Sequence, residues 1–418
     1  MSAEQRTGSI WYISKYLALP SETRHEGGRG YELMRELATD GNQVTIFVSD
    51  SNHLADVPEL RGTHLVEHDD KLSVCWIRTL KFTNATSRRR ILSWLHFEWR
   101  LLRLNRQQFG RPDVIVASSL SILSVLTGVY FRWRYKCRLV FEVRDIWPLT
   151  LTEEGGYSSR NPMVMFLAWV EHFGYRRADT IVGTMPNLSA HVEHVLGYAR
   201  RTECIPMGFA QSSLAQPRSL PSDYIQKFIP NDRFVVGYAG TIGITNALEP
   251  FFAAASILAS EPIEFVLVGD GDLREQYVAK YGHLNNVTFA DKVPKQCVQA
   301  VLAEFDVLYF AAHPSRVWEY GQSLNKVIDY MLSGKPIIAS FSGYPSMINE
   351  ANCGTFLPPG DSLALAEEIE RLAALEKSVL VAQGARGRSW IIEQRNYAQL
   401  AREYAEILFP DPDKSDAG

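Results

Sequence analysis

Short runs rich in β-branched and aromatic residues alternate with amphipathic runs along almost the whole chain. The first unit joins SIWYISKY (residues 9–16) to VTIFVSD (44–50) through a glycine-rich loop and a helical run over residues 31–38. Units of this kind build parallel sheets with right-handed crossovers. The pattern restarts at FVVGYAGTIG (234–243), after a stretch rich in Ser, Pro and Gln. The alternation therefore predicts two α/β domains, each with a mainly parallel sheet.

The composition shift places the domain boundaries. We expect an N-terminal domain over residues 1–210, a linker at 211–233 and a C-terminal domain at 234–388. A final helix, Ser389–Leu408 within 389–418, should pack back toward the N-terminal domain. A chain of 418 residues has room for two cores. Two such domains would face each other across a cleft, where pockets commonly form.

Charge and cysteine content exclude several classes of protein. A net charge of -4 gives no reason to expect nucleic acid as a partner. The five cysteines are scattered without metal-ligand spacing, which is typical of reduced residues in a cytoplasmic protein. The N-terminus lacks the design of a secretory signal, and no apolar run reaches the ~18 residues of a spanning helix. We therefore expect a soluble chain, at most lying on a membrane, without a bound metal or cofactor.

Residues 316–340, RVWEYGQSLNKVIDYMLSGKPIIAS, predict a helix followed by a strand. Ser323 is a plausible N-cap, Asn325 and Lys326 stand in the first turn, and Gly334 marks the stop. The N-terminus of a helix presents free N–H groups, which suit a diphosphate, and Lys326 would add a full charge. An ordinary capped helix with a surface lysine would have the same pattern.

Two further segments place polar groups at the carboxyl ends of predicted strands, where parallel sheets bind ligands. One is the Gly27-Gly28 loop, flanked by Arg24, His25 and Arg29, which is either a binding loop or simply flexible. The other is FEVRDIWP (141–148), in which Arg144 and Asp145 follow a buried strand. The pair is either part of a site or a structural ion pair.

The most charge-biased stretch is residues 78–111, which has a single acid, Glu98, and within it residues 88–106 interleave arginines with Trp, Phe and Leu. Helices of this composition lie in the interface of anionic membranes. A core-packed helix with a solvated arginine face is the alternative interpretation. A nucleic-acid surface fits less well because the basic bias does not extend over the chain.

Taken in order, the motifs resemble those of a known family. They are the Gly27-Gly28 loop, FEVRDIWP, IPMGF, YAGTIG, VLVGDGD, SLNKVIDYMLSGKPIIAS and CGTFLPPGDSLALAEEI. The set is similar to retaining glycosyltransferase family 4, whose GT-B fold has two Rossmann-like parallel-sheet domains facing across a cleft. It looks closest to bacterial transferases that build O-antigen, capsule or exopolysaccharide. The resemblance implies transfer of a sugar, with retention and no essential metal, from a nucleotide donor, usually a UDP-sugar.

The resemblance also implies roles for individual residues. Lys326, with Arg144 and Asp145, would be catalytic, and Arg316, Arg24 or Arg144 would supply a second cation. At the nucleotide of the donor, the residues implied are Lys292 and Val293 for the base and Asp329 for the ribose. The diphosphate would lie at Gly27, Gly28, Gly240 and Thr241. The residues implied at the diphosphate or the sugar are Gln322, Ser323 and Asn325. The acceptor, a glycan or a polyprenyl-linked sugar, would bind the N-terminal domain at the cytoplasmic face of the membrane.

The chain departs from the family pattern at several of these positions. The family has two glutamates flanking the 316–340 helix start, and here those positions are Gly321 and Asp329. An arginine and a lysine expected after YAG are replaced by Thr241 and Thr245-Asn246, and IPNG has become IPMG at Met207. These departures leave two alternatives to a transferase: a nucleotide-sugar epimerase of the same fold, or a non-catalytic binding subunit.

Overall fold

The computed structural model describes residues 7–21, 26–82, 88–215, 218–230, 232–345 and 347–411. The chain divides into two compact units. The N-terminal unit comprises residues 1–210 together with 397–418, and the C-terminal unit comprises residues 211–396.

The strands lie in one sheet per unit. In chain order they are β1 (Ser9–Ile13), β2 (Gln43–Ser49), β3 (His64–Asp69), β4 (Leu72–Ile77), β5 (Val114–Ser118), β6 (Arg138–Val143), β7 (Thr180–Gly183), β8 (Thr202–Cys204), β9 (Phe234–Ala239), β10 (Ile263–Val268), β11 (Val287–Ala290), β12 (Val307–Ala311), β13 (Ile337–Ser340) and β14 (Gly354–Leu357).

The α-helices mostly connect consecutive strands. They are α1 (Arg29–Thr39), α2 (Arg88–Arg103), α3 (Ser124–Tyr135), α4 (Leu149–Glu153), α5 (Pro162–Arg177), α6 (Leu188–Leu196), α7 (Ser222–Phe228), α8 (Glu249–Ile257), α9 (Arg274–Tyr281), α10 (Val298–Ala303), α11 (Asn325–Leu332), α12 (Met347–Glu350), α13 (Ser362–Ala373), α14 (Lys377–Gln394) and α15 (Tyr397–Leu408). Among the described residues, no helix is both long and apolar enough to cross a membrane.

The sheet of the N-terminal unit has the strand order β3-β4-β2-β1-β5-β6-β7-β8. Its neighbouring strands are parallel except at one edge, where β3 pairs antiparallel with β4. The chain order reverses at β1, which pairs with β2 on one side and β5 on the other. Ligands of open parallel sheets bind beyond the carboxyl ends of the strands at such a reversal.

The sheet of the C-terminal unit has the order β11-β10-β9-β12-β13-β14, with parallel pairing throughout. Here the chain order reverses at β9, between β10 and β12. Both sheets therefore have the doubly wound form, and the predicted fold class of two parallel-sheet α/β domains is confirmed.

A buried ion pair and its hydrogen bonds tie α1, β1, β6 and α15 of the N-terminal unit together. Arg29 at the start of α1 contacts Glu142 in β6 at 2.8 Å, and both side chains are fully buried. Tyr12 and Tyr404 donate further hydrogen bonds to the same carboxylate at 2.7 and 3.1 Å. The remaining Arg29 donors bond the carbonyls of Ile205 and Pro206. Because every charge is compensated, this network fixes α15 and the chain after β8 to the sheet.

Two features of the expected architecture need correction. The final helix predicted over Ser389–Leu408 is two helices, α14 and α15. They separate because the N–H of Tyr397 bonds the carbonyl of Phe209 instead of a carbonyl one turn earlier. The stretch 211–233 is also not a plain linker, since it contains α7. The sheet of the N-terminal unit is mainly parallel, as expected, with the β3–β4 hairpin at one edge.

Candidate active site

Helix α11 begins one residue later than a Ser323 cap would require. Its N-cap is Leu324, which has extended backbone and no side chain that could accept a hydrogen bond, so the predicted cap at Ser323 is wrong. The helix ends as predicted, with Gly334 in the left-handed region at φ 70°. Tyr330 anchors α11 to the sheet, because its hydroxyl bonds both the N–H and the carbonyl of Ala239 at the end of β9.

Lys326 lies inward from this helix start instead of at the surface. Its ammonium group donates to the hydroxyl of Tyr238 at 2.9 Å and to the side-chain oxygen of Asn246. It also lies 4.5 Å from the centre of the Tyr238 ring. Burial lowers the pKa of Lys326 to about 7, and the side chains of Tyr238 and Asn246 that accept its hydrogen bonds are neutral. The site therefore holds a cation that an anionic ligand would stabilise.

The two glycine-rich loops that follow β9 and β10 are bonded to each other through their backbones. The N–H of Gly240 donates to Val268 and the N–H of Ile242 donates to Asp270. A Cβ on Gly269 would lie only 1.9 Å from the carbonyl oxygen of Gly240. Gly240 itself, at φ 154°, lies so close to Lys326 that a Cβ there would approach its Cε to 3.0 Å. The loops thus bring Gly240 and the exposed Thr241 beside the lysine.

The residues predicted at the nucleotide base follow the next strand along this edge, β11. Lys292, two residues after β11, is exposed and pairs with Asp270 at 3.2 Å. Val293 beside it is half-buried. The carboxyl ends of β9, β10 and β11 therefore place Gly240, Asp270 and Lys292 along one edge of the sheet.

Gly321 and Gln322 precede α11 and are both buried. Gly321 has φ 104°, a conformation that a residue with a Cβ rarely adopts. A glutamate in this backbone conformation would be strained. Gln322 is 5% exposed, and neither its amide nitrogen nor its oxygen has a hydrogen-bond partner in the described part of the chain. Buried amides without partners are uncommon and often mark a ligand site.

The remaining predicted donor residues surround this segment. Arg316 is exposed in the 3₁₀ turn Arg316–Tyr320, and Ser323 is half-buried. Asn325 is exposed at the first position of α11. Asp329 is half-buried one turn further on, and its carbonyl accepts from the Gln299 side chain at 2.9 Å.

In the N-terminal unit, Gly27 and Gly28 cap α1. The N–H of Gly27 bonds Glu32 at 2.8 Å, and the N–H of Gly28 bonds the carbonyl of Ala18 at 2.8 Å. Arg24 and His25, predicted around this loop, lie outside the described residues. Arg29 does not belong to a ligand site, because it is fully buried against Glu142.

Arg144 and Asp145 follow β6, as predicted. Ser119 holds this turn through its hydroxyl, which accepts from the N–H of Arg144 at 2.9 Å. Asp145 is exposed, and Arg144 is half-buried. Within the described residues, no hydrogen bond or ion pair engages the Arg144 guanidinium. Its charge nevertheless counteracts the desolvation that raises the pKa of Asp145, so the two side chains interact without direct contact. The charges of Arg29 and Arg144 also outweigh the effect of burial and hold the pKa of Glu142 at about 2.

An aromatic cluster lies next to Asp145. The rings of Trp94 in α2 and Trp147 are 5.5 Å apart, and the Arg90 guanidinium lies 5.5 and 5.9 Å from their centres. Trp94 donates to the hydroxyl of Tyr16 at 2.9 Å. The beginning of α2 is thereby fixed against the turn that carries Arg144 and Asp145.

A cavity of about 470 Å³ lies elsewhere in the C-terminal unit, and none of the predicted donor residues lines it. Its polar lining includes Glu249, Lys280, His313 and Ser340. Within the described residues, no group of three His, Cys, Asp or Glu side chains could hold a metal ion.

Sequence reasoning missed three residues of the lysine site: Tyr238, Asn246 and Tyr330. The sequence placed Tyr238 and Tyr330 only in a strand and a helix, and Asn246 was noted as a departure from the family pattern. In the structure, Asn246 accepts from Lys326 and its amide donates to the carbonyl of Thr241. The tyrosine that precedes the glycine loop, Tyr238, was the sequence feature that could have indicated this site.

Two family models match the chain, one in each unit. Residues 29–208 match the "Glycosyl transferase 4-like domain", and residues 233–374 match "Glycosyl transferases group 1". Among curated proteins, a probable glycosyltransferase, WbjE of Pseudomonas aeruginosa, is 22% identical over 302 residues, which cover 69% of this chain and 72% of that protein.

Solved structures share the fold over nearly the full length. Sucrose-phosphate synthase from Thermosynechococcus elongatus aligns with a TM-score of 0.69 at 20% identity, covering 96% of this chain and 98% of that one. HepE from Anabaena, in complex with UDP and glucose, aligns with a TM-score of 0.63 at 16% identity, covering 96% and 99%. The family matches in both units, together with these folds, support placing the chain among the glycosyltransferases of the GT-B type.

Proposed function

We propose that this protein is a retaining, metal-independent transferase of glycosyltransferase family 4. It would move a hexosyl or acetamidosugar residue from a UDP-sugar to a glycan or polyprenyl-linked acceptor in the synthesis of a bacterial surface polysaccharide. The order of motifs resembles that family, and the relative HepE is described as bound to UDP and glucose. The protein would work at the cytoplasmic face of the membrane.

The arrangement of Lys326 carries this proposal. The lysine lies beside Gly240 at the reversal point of the C-terminal sheet, and burial depresses its pKa. A diphosphate bound there would meet the ammonium group, the N-terminus of α11 and the close backbone at Gly240. Gln322, buried with an unsatisfied amide, is suited to bond hydroxyl groups of the sugar.

Sugar transfer requires stabilisation of the departing nucleoside diphosphate. The bond between the anomeric carbon and the phosphate oxygen breaks, and its electron pair leaves with the diphosphate. The acceptor hydroxyl attacks the same face of the carbon and passes its proton to the leaving phosphate oxygen. Lys326 would neutralise the developing charge, and Arg144 would supply a second cation near the reacting sugar. Asp145 would orient the acceptor or the sugar.

The acceptor would be lipid-linked, because α2 combines arginines with exposed Leu and Trp side chains. Its first turn also contacts the aromatic cluster at Trp147 through Arg90. A helix that contacts both the membrane surface and the neighbourhood of Asp145 would bring the two reactants together.

The test is transfer from a panel of UDP-sugars to acceptors extracted from membranes, in the presence of EDTA. We expect UDP release only when an acceptor is present, with retained anomeric configuration by NMR. Lys326→Ala should lower turnover by about 10²–10³-fold, and the exposed Lys377→Ala should not.

Other outcomes would contradict the proposal. Conversion of the donor sugar without an acceptor would indicate an epimerase, and donor binding without any turnover would indicate a binding subunit. Near-normal turnover of Lys326→Ala with a confirmed donor would remove the lysine from the catalytic machinery.

A further inference from the structure

Three neighbouring helices of the N-terminal unit expose large apolar side chains. On α2 these are Leu92, Leu95, Trp99 and Leu102, whose spacing places them on one stripe of the helix. The opposite side of α2 carries Trp94, Phe97 and Leu101, all buried. The buried side of α2 therefore supplies its packing against the core of the unit. The exposed apolar stripe is not needed for that packing and is available for an interaction.

The same feature continues on α3. Tyr130 and Trp133 are exposed with ring centres 6.1 Å apart, and Trp133 has 74% of its surface accessible. Helix α3 is directly joined to α2, because Ser124 and Thr127 donate to Glu98 at 2.8 and 2.6 Å.

Helix α5 extends the surface further. It exposes Met165, Phe166 and Trp169, with the rings of Phe166 and Trp169 stacked 6.1 Å apart. It packs on α3, where a Cβ on Gly174 would approach the Val125 side chain to 3.0 Å. The three helices are successive connections of one sheet, and we call their exposed side the outer face of α2, α3 and α5.

The charges on these helices have one sign. Their sequences contain nine arginines, five in α2, two in α3 and two in α5, and only two acids, Glu98 and Glu171. Both acids are buried: Glu98 accepts from Ser124 and Thr127, and Glu171 accepts from Tyr175 and His191. Arg103, Arg134, Arg176 and Arg177 are exposed.

Exposed Trp, Leu and Met side chains together with arginines, and no exposed acid in the same helices, match the chemistry of an anionic bilayer surface. Trp and Leu enter the headgroup boundary, and arginines reach the lipid phosphates from apolar stems. A second copy of the chain would press arginines against arginines in a symmetric contact, which disfavours a dimer through this face. Nucleic acid would not bury Leu and Met side chains.

We propose that the whole outer face of α2, α3 and α5, and not only residues 88–106, docks the protein flat on a membrane containing anionic lipids. This inference concerns lipid contact and stands apart from donor chemistry. A contact across three helices fixes the tilt of the N-terminal unit on the bilayer. A single interfacial helix would instead let the unit rotate about the axis of that helix.

The test is sedimentation of the full-length protein with vesicles of phosphatidylcholine, either pure or mixed with an equal part of phosphatidylglycerol. We expect binding to the mixed vesicles that weakens with salt. Met165→Ser with Trp169→Ser on α5, and separately Trp133→Ser on α3, should each lower the partition coefficient by roughly tenfold. Leu95→Ser with Trp99→Ser on α2 should do the same.

The matched controls are Leu363→Ser and Val379→Ser, both at exposed positions of the C-terminal unit. They should bind as the unaltered protein does, and all variants should melt at similar temperatures.

Three results would overturn the inference. Loss of binding in the α2 variant with unchanged binding of the α3 and α5 variants would restrict the contact to α2. Absence of binding to the mixed vesicles, or equal binding to pure phosphatidylcholine, would remove the anionic membrane as the partner. Self-association in analytical ultracentrifugation that the α5 variant abolishes, without vesicle binding, would assign the face to a protein contact.

Discussion

At the scale of single residues, the lysine in α11 shows how burial can prepare a site for an anion. The pKa of Lys326 falls from its ordinary value of 10.5 to about 7 because its surroundings exclude water without offering a negative charge. A folded-state pKa below the unfolded value means that the unfolded chain holds the extra proton between pH 7 and 10.5. Lys326 therefore makes the protein more stable as pH rises through that window.

This lysine predicts proton uptake on ligand binding. At pH 8 most Lys326 side chains are neutral, and a bound diphosphate should raise the pKa and draw a proton from the buffer. Calorimetric titration with UDP in buffers of different ionisation enthalpy should show uptake of a substantial fraction of one proton. Lys326→Met should abolish it, and Lys377→Met, at an exposed position, should leave it unchanged. Unchanged uptake in Lys326→Met would show that another group takes the proton.

At the scale of elements, the hydrogen bonds of Glu142 decide how α1, β6 and α15 are held together. Among the described residues, Arg29 is the only full charge in direct contact with this carboxylate. The hydroxyl groups of Tyr12 and Tyr404 donate the other hydrogen bonds to it. Such a network contributes little net stability compared with apolar packing, but breaking it leaves a buried charge uncompensated.

Two substitutions in this network should therefore lower the free energy of unfolding by different amounts. Glu142→Gln leaves the Arg29 guanidinium buried without a counter-ion and should lower the free energy of unfolding by about 3–5 kcal/mol. Tyr404→Phe removes one of several donors and should cost about 1–3 kcal/mol. Urea denaturation would measure both, with the exposed Tyr198→Phe as control. Equal losses in the two variants would mean that the charge on Arg29 is compensated in some other way.

The alternation of strand and helix patterns was enough to predict both sheets, because each buried strand reads as an apolar run bounded by a loop. The β3–β4 hairpin was missed because its turn, Asp70-Lys71, has no glycine signal, although Asp70 adopts φ 49°. The break between α14 and α15 was missed because a contact with Phe209, distant in sequence, causes it.

The candidate site was predictable where residues share a loop or a helix turn. Gly240, Lys326 and Arg144 were singled out from local motifs, and their roles stay predictions. The partners of Lys326 were not, because Tyr238 and Asn246 stand 88 and 80 positions away, and spacing carries no information at that range. The partner of Arg29 was missed for the same reason, since Glu142 is 113 positions away.

At the scale of the whole molecule, the N-terminal unit depends on residues from the far end of the chain. Tyr397, Leu400, Tyr404 and Leu408 of α15 belong to the same buried cluster as Leu33 of α1. The C-terminal unit, in contrast, is continuous from 211 to 396.

This organisation predicts different behaviour of the two fragments. Residues 211–396 expressed alone should melt cooperatively, because their core is complete. Residues 1–210 alone should bind the dye ANS and aggregate, because the apolar surface under α15 is uncovered. Adding residues 397–408 after 210 through a flexible linker should restore a cooperative melt. A stable fragment 1–210 without dye binding would show that α15 is dispensable.

The late position of α15 also sets an order of events on the ribosome. Helix α15 leaves the exit tunnel after residues 211–396 and completes the core of the N-terminal unit, so the C-terminal unit can close its core first. At about 5–20 residues per second, the nascent first unit would wait on the order of ten seconds or more with an open apolar groove. During that interval we expect chaperones to bind the exposed groove. Chains released before α15 is synthesised would be unable to complete this core and would be degraded by proteases.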